Sequence, residues 1–125
     1  MIVGTGVDIS EVPRIQDSIT RFGERFLRRV YTEAEIRYCD SKVNRAERYA
    51  ARFAAKEAAM KAIGTGLRHG ITWHDVEVTR EPSGRPTITF RGVAAQFADK
   101  LGVKRAHLSL SHSKENAIAF VILED

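Results

Sequence analysis

Arg45-Ala46-Glu47-Arg48-Tyr49-Ala50-Ala51-Arg52-Phe53-Ala54-Ala55-Lys56-Glu57-Ala58-Ala59-Met60-Lys61-Ala62-Ile63-Gly64 reads as one long, alanine-rich helix that runs to Ile63 and stops at Gly64. At about 100° per residue, Tyr49, Phe53, Met60, Ala46 and Ala50 fall on one apolar arc, and Glu57 projects inside it. Lys61 sits at the edge of that arc. A carboxylate on a packing face has to be paired, metal-bound or protonated, because an isolated buried charge is too costly. Two readings follow for Glu57: a self-satisfying i,i+4 salt bridge with Lys61, or a functional carboxylate.

Upstream of the helix, Val3, Thr5, Val7 and Ile9 alternate with Gly4, Gly6, Asp8 and Ser10, the period of a strand. Asp8 then shares a face with two glycines, which leaves room for something bulky to approach. Ser10 is positioned to cap a following helix with Pro13 in its first turn, and Val12, Ile15, Ile19 and Phe22 continue at helical spacing. Asp8 itself also fits a plain role at that helix start. A second helix is expected from the capping box Thr32-x-x-Glu35. Downstream, Ile71 to Thr79 reads as a strand, Pro82-Ser83-Gly84-Arg85-Pro86 as a turn, and Thr87 to Phe90 as the returning strand. A short helix from Val93 to Leu101 ends at Gly102, and Ala106 to Ser113 and Ala117 to Leu123 form a second hairpin about Lys114-Glu115-Asn116. Helices in the first half and hairpins in the second predict an α+β fold rather than a βαβ series.

The 125 residues, 43% hydrophobic and 29% charged, fit one globular domain spanning 1–125. No apolar run approaches the roughly 20 residues of a spanning helix, and Met1 to Thr5 lacks a secretory start, so no membrane association and a cytoplasmic location are expected. One cysteine, Cys39, excludes an internal disulfide, and with only four scattered histidines it makes zinc improbable; any metal would be oxygen-bound. The net charge of +4 suits an anionic partner. Arg14, Ser18, Arg21, Arg25 and Arg28 project within a narrow arc if the first helix survives Gly23, a basic face that is either solvated surface or a docking strip. Few aromatics interleave with these arginines, which weakens a nucleic-acid reading.

Asp8, Glu57 and Lys61 together suit a magnesium ion held by few carboxylates and completed by water and substrate phosphates. Gly4-Thr5-Gly6 and Gly64-Thr65-Gly66 match neither a P-loop nor a dinucleotide turn. In Ser109-Leu110-Ser111-His112-Ser113 neighbouring side chains of a strand diverge, so Ser111 and His112 form no hydrolase pair.

These residues resemble a known family, the holo-acyl-carrier-protein synthases, the short-chain class of 4'-phosphopantetheinyl transferases. The likeness rests on Gly4-Thr5-Gly6-Val7-Asp8-Ile9, on Arg52 to Gly66, on Trp73-His74-Asp75-Val76-Glu77-Val78, on Gly84-Arg85-Pro86 and on Leu108 to Ser113. It implies the 4'-phosphopantetheinyl transferase-like fold, with antiparallel hairpins packed on a long central helix. It also implies transfer of the phosphopantetheine arm of coenzyme A to a serine of apo acyl carrier protein, with magnesium as the metal and adenosine 3',5'-bisphosphate released. By the same resemblance Asp8 and Glu57 would hold the ion, Lys61 would contact the reacting phosphate, and Arg52, Gly64, Pro86, His112 and Ser113 would line the coenzyme A site. The group that takes the serine proton is left open among Glu57, a metal-bound water and Lys61. Arg14, Arg21, Arg25 and Arg28 would dock the carrier. Longer members hold two copies of the unit, so a chain with one copy is expected to form its cleft between subunits, as a homotrimer. The competing reading is a non-catalytic basic module that binds nucleic acid or an acidic protein through the Arg14 to Arg28 face; it leaves Glu57 unexplained.

Overall fold

The computed structural model describes residues 1–125. In chain order the elements are β1 (Ile2–Glu11), α1 (Val12–Phe22), α2 (Glu24–Val30), α3 (Glu33–Asp40), α4 (Arg45–Ala62), β2 (Val76–Arg80), β3 (Pro86–Phe90), α5 (Gly92–Leu101), β4 (Arg105–His112) and β5 (Asn116–Glu124). One antiparallel sheet has the order β1-β5-β4 and a second consists of β2 and β3. The α+β expectation holds, and α4 is the shared centre of the core.

Alanine explains how α4 can be surrounded. Ala51, Ala54, Ala55, Ala58, Ala59 and Ala62 are all buried, so elements pack on most of the helix circumference at short range. Against one side lie Ala119, Val121 and Leu123 of β5 with Val76, Val78 and Ile88 of the small sheet. Against another lie Val12, Ile15, Leu27, Val30, Tyr31 and Tyr49. The expected arc of Ala46, Phe53 and Glu57 is not the buried heart of this helix but its half-exposed edge.

The buried heart contains Lys56, fully inaccessible and paired with Glu35 at 2.9 Å, whose side chain is equally inaccessible. Lys56 Nζ also donates to the carbonyls of Trp73 (3.0 Å) and Val76 (2.6 Å). Those bonds explain why the expected strand from Ile71 begins only at Val76. The Trp73 carbonyl is taken by Lys56 and by the Val76 N–H instead of by a neighbouring strand, and Trp73–Asp75 forms a 3-10 turn. Glu35 completes the capping box with Thr32 and accepts from Val78 N–H at 2.7 Å, which locks α3 onto β2. Burial lowers the Lys56 pKa, with Glu35 working against it.

One further expectation is corrected, and one condition on the arginine arc fails. Ser10 does not cap α1: β1 runs on through Glu11, Ser10 is buried within the strand, and no side chain bonds the helix start. The first helix does not survive Gly23, which takes φ 53° and divides it into α1 and α2. Cys39 is free and fully buried, and burial pushes its thiol up to about 12, which removes it as a nucleophile.

Replacing Lys56 alone by Met leaves the Glu35 carboxylate buried without its cation, so Lys56→Met is expected to cost about 3–5 kcal/mol in urea denaturation. The double variant Lys56→Met, Glu35→Gln should recover part of that loss, because no charge is then stranded. A single variant as stable as wild type would show that the pair is dispensable.

Candidate active site

Asp8 reaches its position because β1 lies almost on α4. Gly4, Gly6, Asp8 and Ser10 alternate onto the side that faces the helix, and a Cβ on Gly6 or Gly4 would overlap the carbonyl oxygen of Ala58 or Ala62. The space the glycines leave is therefore occupied by the helix backbone, not kept for a ligand as the sequence suggests. Two residues further along the same face, Asp8 meets the next stretch of α4.

There Lys61 Nζ donates to Asp8 Oδ1 at 3.0 Å and to the Val7 carbonyl at 3.2 Å. The expected alternative, a Glu57 to Lys61 salt bridge, does not form; the lysine crosses to the strand. Glu57 lies within hydrogen-bonding reach of Asp8, and its pKa is raised first by burial and then by the Asp8 charge, with Lys61 opposing. Nor is Asp8 a helix cap, since α1 starts four residues later. Two carboxylates and an ammonium thus converge from β1 and α4.

A groove of about 700 Å³ opens over this pair, walled by Phe53, Phe26, Ser18 and Arg14. No group of three or more His, Cys, Asp or Glu side chains gathers anywhere to cage a metal. Two adjacent carboxylates beside an open groove suit an ion that takes few protein ligands and keeps positions for water and phosphate, which is the behaviour of magnesium and not of structural zinc.

The other expected residues divide into groups. Arg52, Pro86 and His112 meet around a cavity of about 170 Å³, together with Tyr38, Arg48 and Arg80, which sequence reasoning missed. His112 Nδ1 bonds Glu47 at 2.8 Å. Gly64 stands past the C-terminal end of α4 at φ 80°, turning the chain just after Lys61. Ser113 is drawn away from both groups, since its hydroxyl accepts from Glu115 and Asn116 N–H, each at 3.3 Å, inside the β4–β5 turn. Five residues of helix separate Arg52 from Glu57, which sets them about 140° apart around α4. The arginine cavity and the carboxylate groove are consequently different faces of one helix.

The break at Gly23 puts Arg14 and Arg21 on α1 and Arg25 and Arg28 on α2, so the expected single helical arc is two short ones. Arg14 pairs with Glu11 at 3.5 Å, Arg21 with Asp17 at 3.6 Å and Arg28 with Glu24 at 2.8 Å. These pairs are exposed and weak, which leaves the arginines able to exchange partners. Arg14 links this surface to the groove that holds Asp8 and Glu57.

The raised Glu57 pKa has a sign that can be checked in protein stripped of divalent ions. Over a window above the ordinary value of 4.5, folded Glu57 retains a proton that the unfolded chain has lost. Stability must therefore fall as pH rises through that window, and the Glu57→Gln variant should lack this component. Identical pH slopes for the two proteins in urea denaturation would contradict the geometry of the carboxylate pair.

Comparison with known proteins shows the family to which this fold belongs. A family model described as the 4'-phosphopantetheinyl transferase superfamily matches residues 4–121. The holo-[acyl-carrier-protein] synthase of Koribacter versatilis is 70% identical over 125 residues, covering 100% of both chains. Among solved structures, the synthase from Neisseria meningitidis superposes with a TM-score of 0.89 at 31% identity, covering 100% of each chain. That from Helicobacter pylori, solved in complex with coenzyme A, gives 0.83 at 30% identity and covers 96% of this chain and 99% of its own. The chain belongs to the 4'-phosphopantetheinyl transferase superfamily.

Proposed function

We infer that the protein transfers the 4'-phosphopantetheine group of coenzyme A to a serine hydroxyl of apo acyl carrier protein. The observation that carries this reading is the convergence of Asp8, Glu57 and Lys61 beneath an open groove rimmed by Arg14. Relatives that match over the whole chain are named for the same reaction, and coenzyme A is bound in the related Helicobacter pylori structure.

In the reaction a serine oxygen of the carrier bonds to the phosphorus that bears the pantetheine arm, the bond from that phosphorus to adenosine 3',5'-bisphosphate breaks, and the serine proton is released. Such a transfer depends mostly on positioning and on offsetting charge at the phosphate oxygens. Asp8 and Glu57 would hold magnesium, which when bound supplies positive charge against the donor diphosphate. Lys61 is tethered to Asp8 but still more than half exposed, so its ammonium is free to meet a phosphate oxygen. Glu57 is the group of this chain that would receive the serine proton, since Lys61, held as an ammonium against Asp8, has no lone pair to accept one. The exposed arginines of α1 and α2 attract the carrier through charges that salt screens. No helix is long and apolar enough to cross a membrane, and we place the reaction in the cytoplasm.

We propose that the protein works as a homotrimer, and the outer face of the large sheet supports self-association. Val7, Ile9, Ile118 and Phe120 are 48%, 64%, 41% and 43% exposed. Val7 stands opposite Phe120 and Ile9 opposite Ile118, so these side chains form one apolar strip. Because Val7 and Ile9 flank Asp8, a second copy covering the strip would bring its own residues to the edge of the groove. That arrangement would unite carboxylate groove and arginine cavity across subunits, although each lies on a different face of α4.

Incubation with coenzyme A, magnesium and apo acyl carrier protein should add the mass of one phosphopantetheine to the carrier. Asp8→Asn and Glu57→Gln should each need far more magnesium for half-maximal transfer, with folding little changed, because each removes a negative ligand while preserving shape. No mass gain with a competent carrier would favour the basic binding module. Wild-type turnover across the magnesium titration in either variant would remove that residue from the ion site.

A further inference from the structure

Arg52 brings a positive charge into the protein with no carboxylate to meet it. The residue is 5% exposed, and no ion pair or hydrogen bond in the structure uses its guanidinium. Its contact is with an aromatic ring: the guanidinium carbon lies 4.2 Å from the centroid of Tyr38. Arg80 lies over the same ring at 4.6 Å, and Lys42 at 5.1 Å. Arg48 Nη1 approaches the Tyr38 hydroxyl at 3.4 Å. Four cations from α3, α4 and β2 and the turns beside them thus gather at one tyrosine, and none of Lys42, Arg48, Arg52 or Arg80 forms a salt bridge.

Clustered cations repel, and two things offset the repulsion here. One is the negative face of the Tyr38 ring, on which a guanidinium is favourably placed. The other would be a bound anion, and the adjoining cavity, lined also by Pro86 and His112, has room for one phosphate group. Burial pushes the Tyr38 phenol up, but the nearby Arg80 guanidinium and the charges of Arg52 and Arg48 outweigh it, and the pKa falls below its ordinary value. The phenol therefore feels the same uncompensated positive field that a phosphate would.

We propose that Tyr38 is a positioning residue of the coenzyme A site, its ring carrying the Arg52 and Arg80 guanidinium groups so that both face one phosphate of the donor. This rests on coenzyme A being the donor. No buried side-chain nitrogen lacks a partner, so the Arg52 stem is buried while its guanidinium nitrogens open outward; the flat ring sets their direction and leaves them free for phosphate oxygens. Arg80 spends Nη2 on the Gly84 carbonyl at 2.9 Å and keeps its other N–H groups. Coenzyme A offers two sources of that chemistry, its 3'-phosphate monoester and its diphosphate.

The test compares wild type, Tyr38→Leu and Tyr38→Phe with coenzyme A and with 3'-dephospho-coenzyme A, after calorimetry has established that wild type binds coenzyme A. Tyr38→Leu should raise the KM for coenzyme A about 10-fold, the size of a lost cation–π contact of partly buried groups. Its kcat should stay within about 2-fold, and Tyr38→Phe, which restores the ring, should rescue most of the loss. If the 3'-phosphate is the group held, the KM for the dephosphorylated donor will be the same in wild type and Tyr38→Leu; if the diphosphate is held, it will rise for both donors. Either result supports the assignment and names the phosphate. A folded Tyr38→Leu with wild-type KM would overturn it, as would a fall in kcat that Tyr38→Phe fails to rescue. Should Tyr38→Leu not fold, Arg80→Met decides, since that side chain is exposed: a raised KM for coenzyme A supports the proposal and an unchanged one refutes it. Failure of wild type to bind coenzyme A would defeat the donor reading, and this inference with it.

Discussion

The site depends on how closely β1 can approach α4. Backbone-to-backbone contact of a strand with a helix requires that the strand have no side chain at the crossing and that the helix offer only small ones. Gly4 and Gly6 meet the first condition and Ala58 and Ala62 the second. A strand side chain alternates every two residues, so the next position on the face of Gly4 and Gly6 is Asp8. It is held against the helix at the level of Glu57 and Lys61. Any larger residue at Gly6 would lift the strand and move the carboxylate with it.

Four charged residues of α4 then meet four different fates, decided by their angle around the helix. Lys56 points into the core and is answered by Glu35 and two carbonyls. Glu57, at a half-exposed edge, has no dedicated cation and shares its surroundings with Asp8. Lys61 reaches past it to the strand. Arg52 is buried against a tyrosine ring with its N–H groups unspent. Lys56 gives rigidity because its charge is satisfied; Glu57 and Arg52 are useful because theirs is not. Buried charges that a fold leaves open are costly, and they are retained where a ligand completes them.

Much of this was legible in the sequence for a physical reason. Helical and strand periods are set by backbone geometry, so the long helix, the capping box at Thr32 and Glu35 and the terminal hairpin could be read directly. Glu57 stood out because a carboxylate on an apolar arc is expensive. Lys56 carried a similar signal, four residues before Met60 and seven after Tyr49, but the tolerance of lysine stems for apolar surroundings hid it. The role of Gly4 and Gly6 was misjudged because a strand pattern shows that a face is open without showing what enters it. Tyr38, Arg48 and Arg80 were invisible as a group, for they come from α3, α4 and β2 and only tertiary packing brings them together. The division at Gly23 turned on one residue adopting a positive φ, which the arginine spacing could not reveal.

The most direct measurement of the central claim is the rate of phosphopantetheine transfer by Gly6→Ala, made alongside its crystal structure. One methyl group at that position should separate β1 from α4, open the Asp8 to Lys61 contact beyond its present 3.0 Å and reduce transfer on the order of 100-fold, as displacements of about 1 Å do in catalytic sites. A Gly6→Ala protein with wild-type turnover and an unmoved Asp8 would contradict the account, because it would mean that the glycine-to-alanine contact does not set the site.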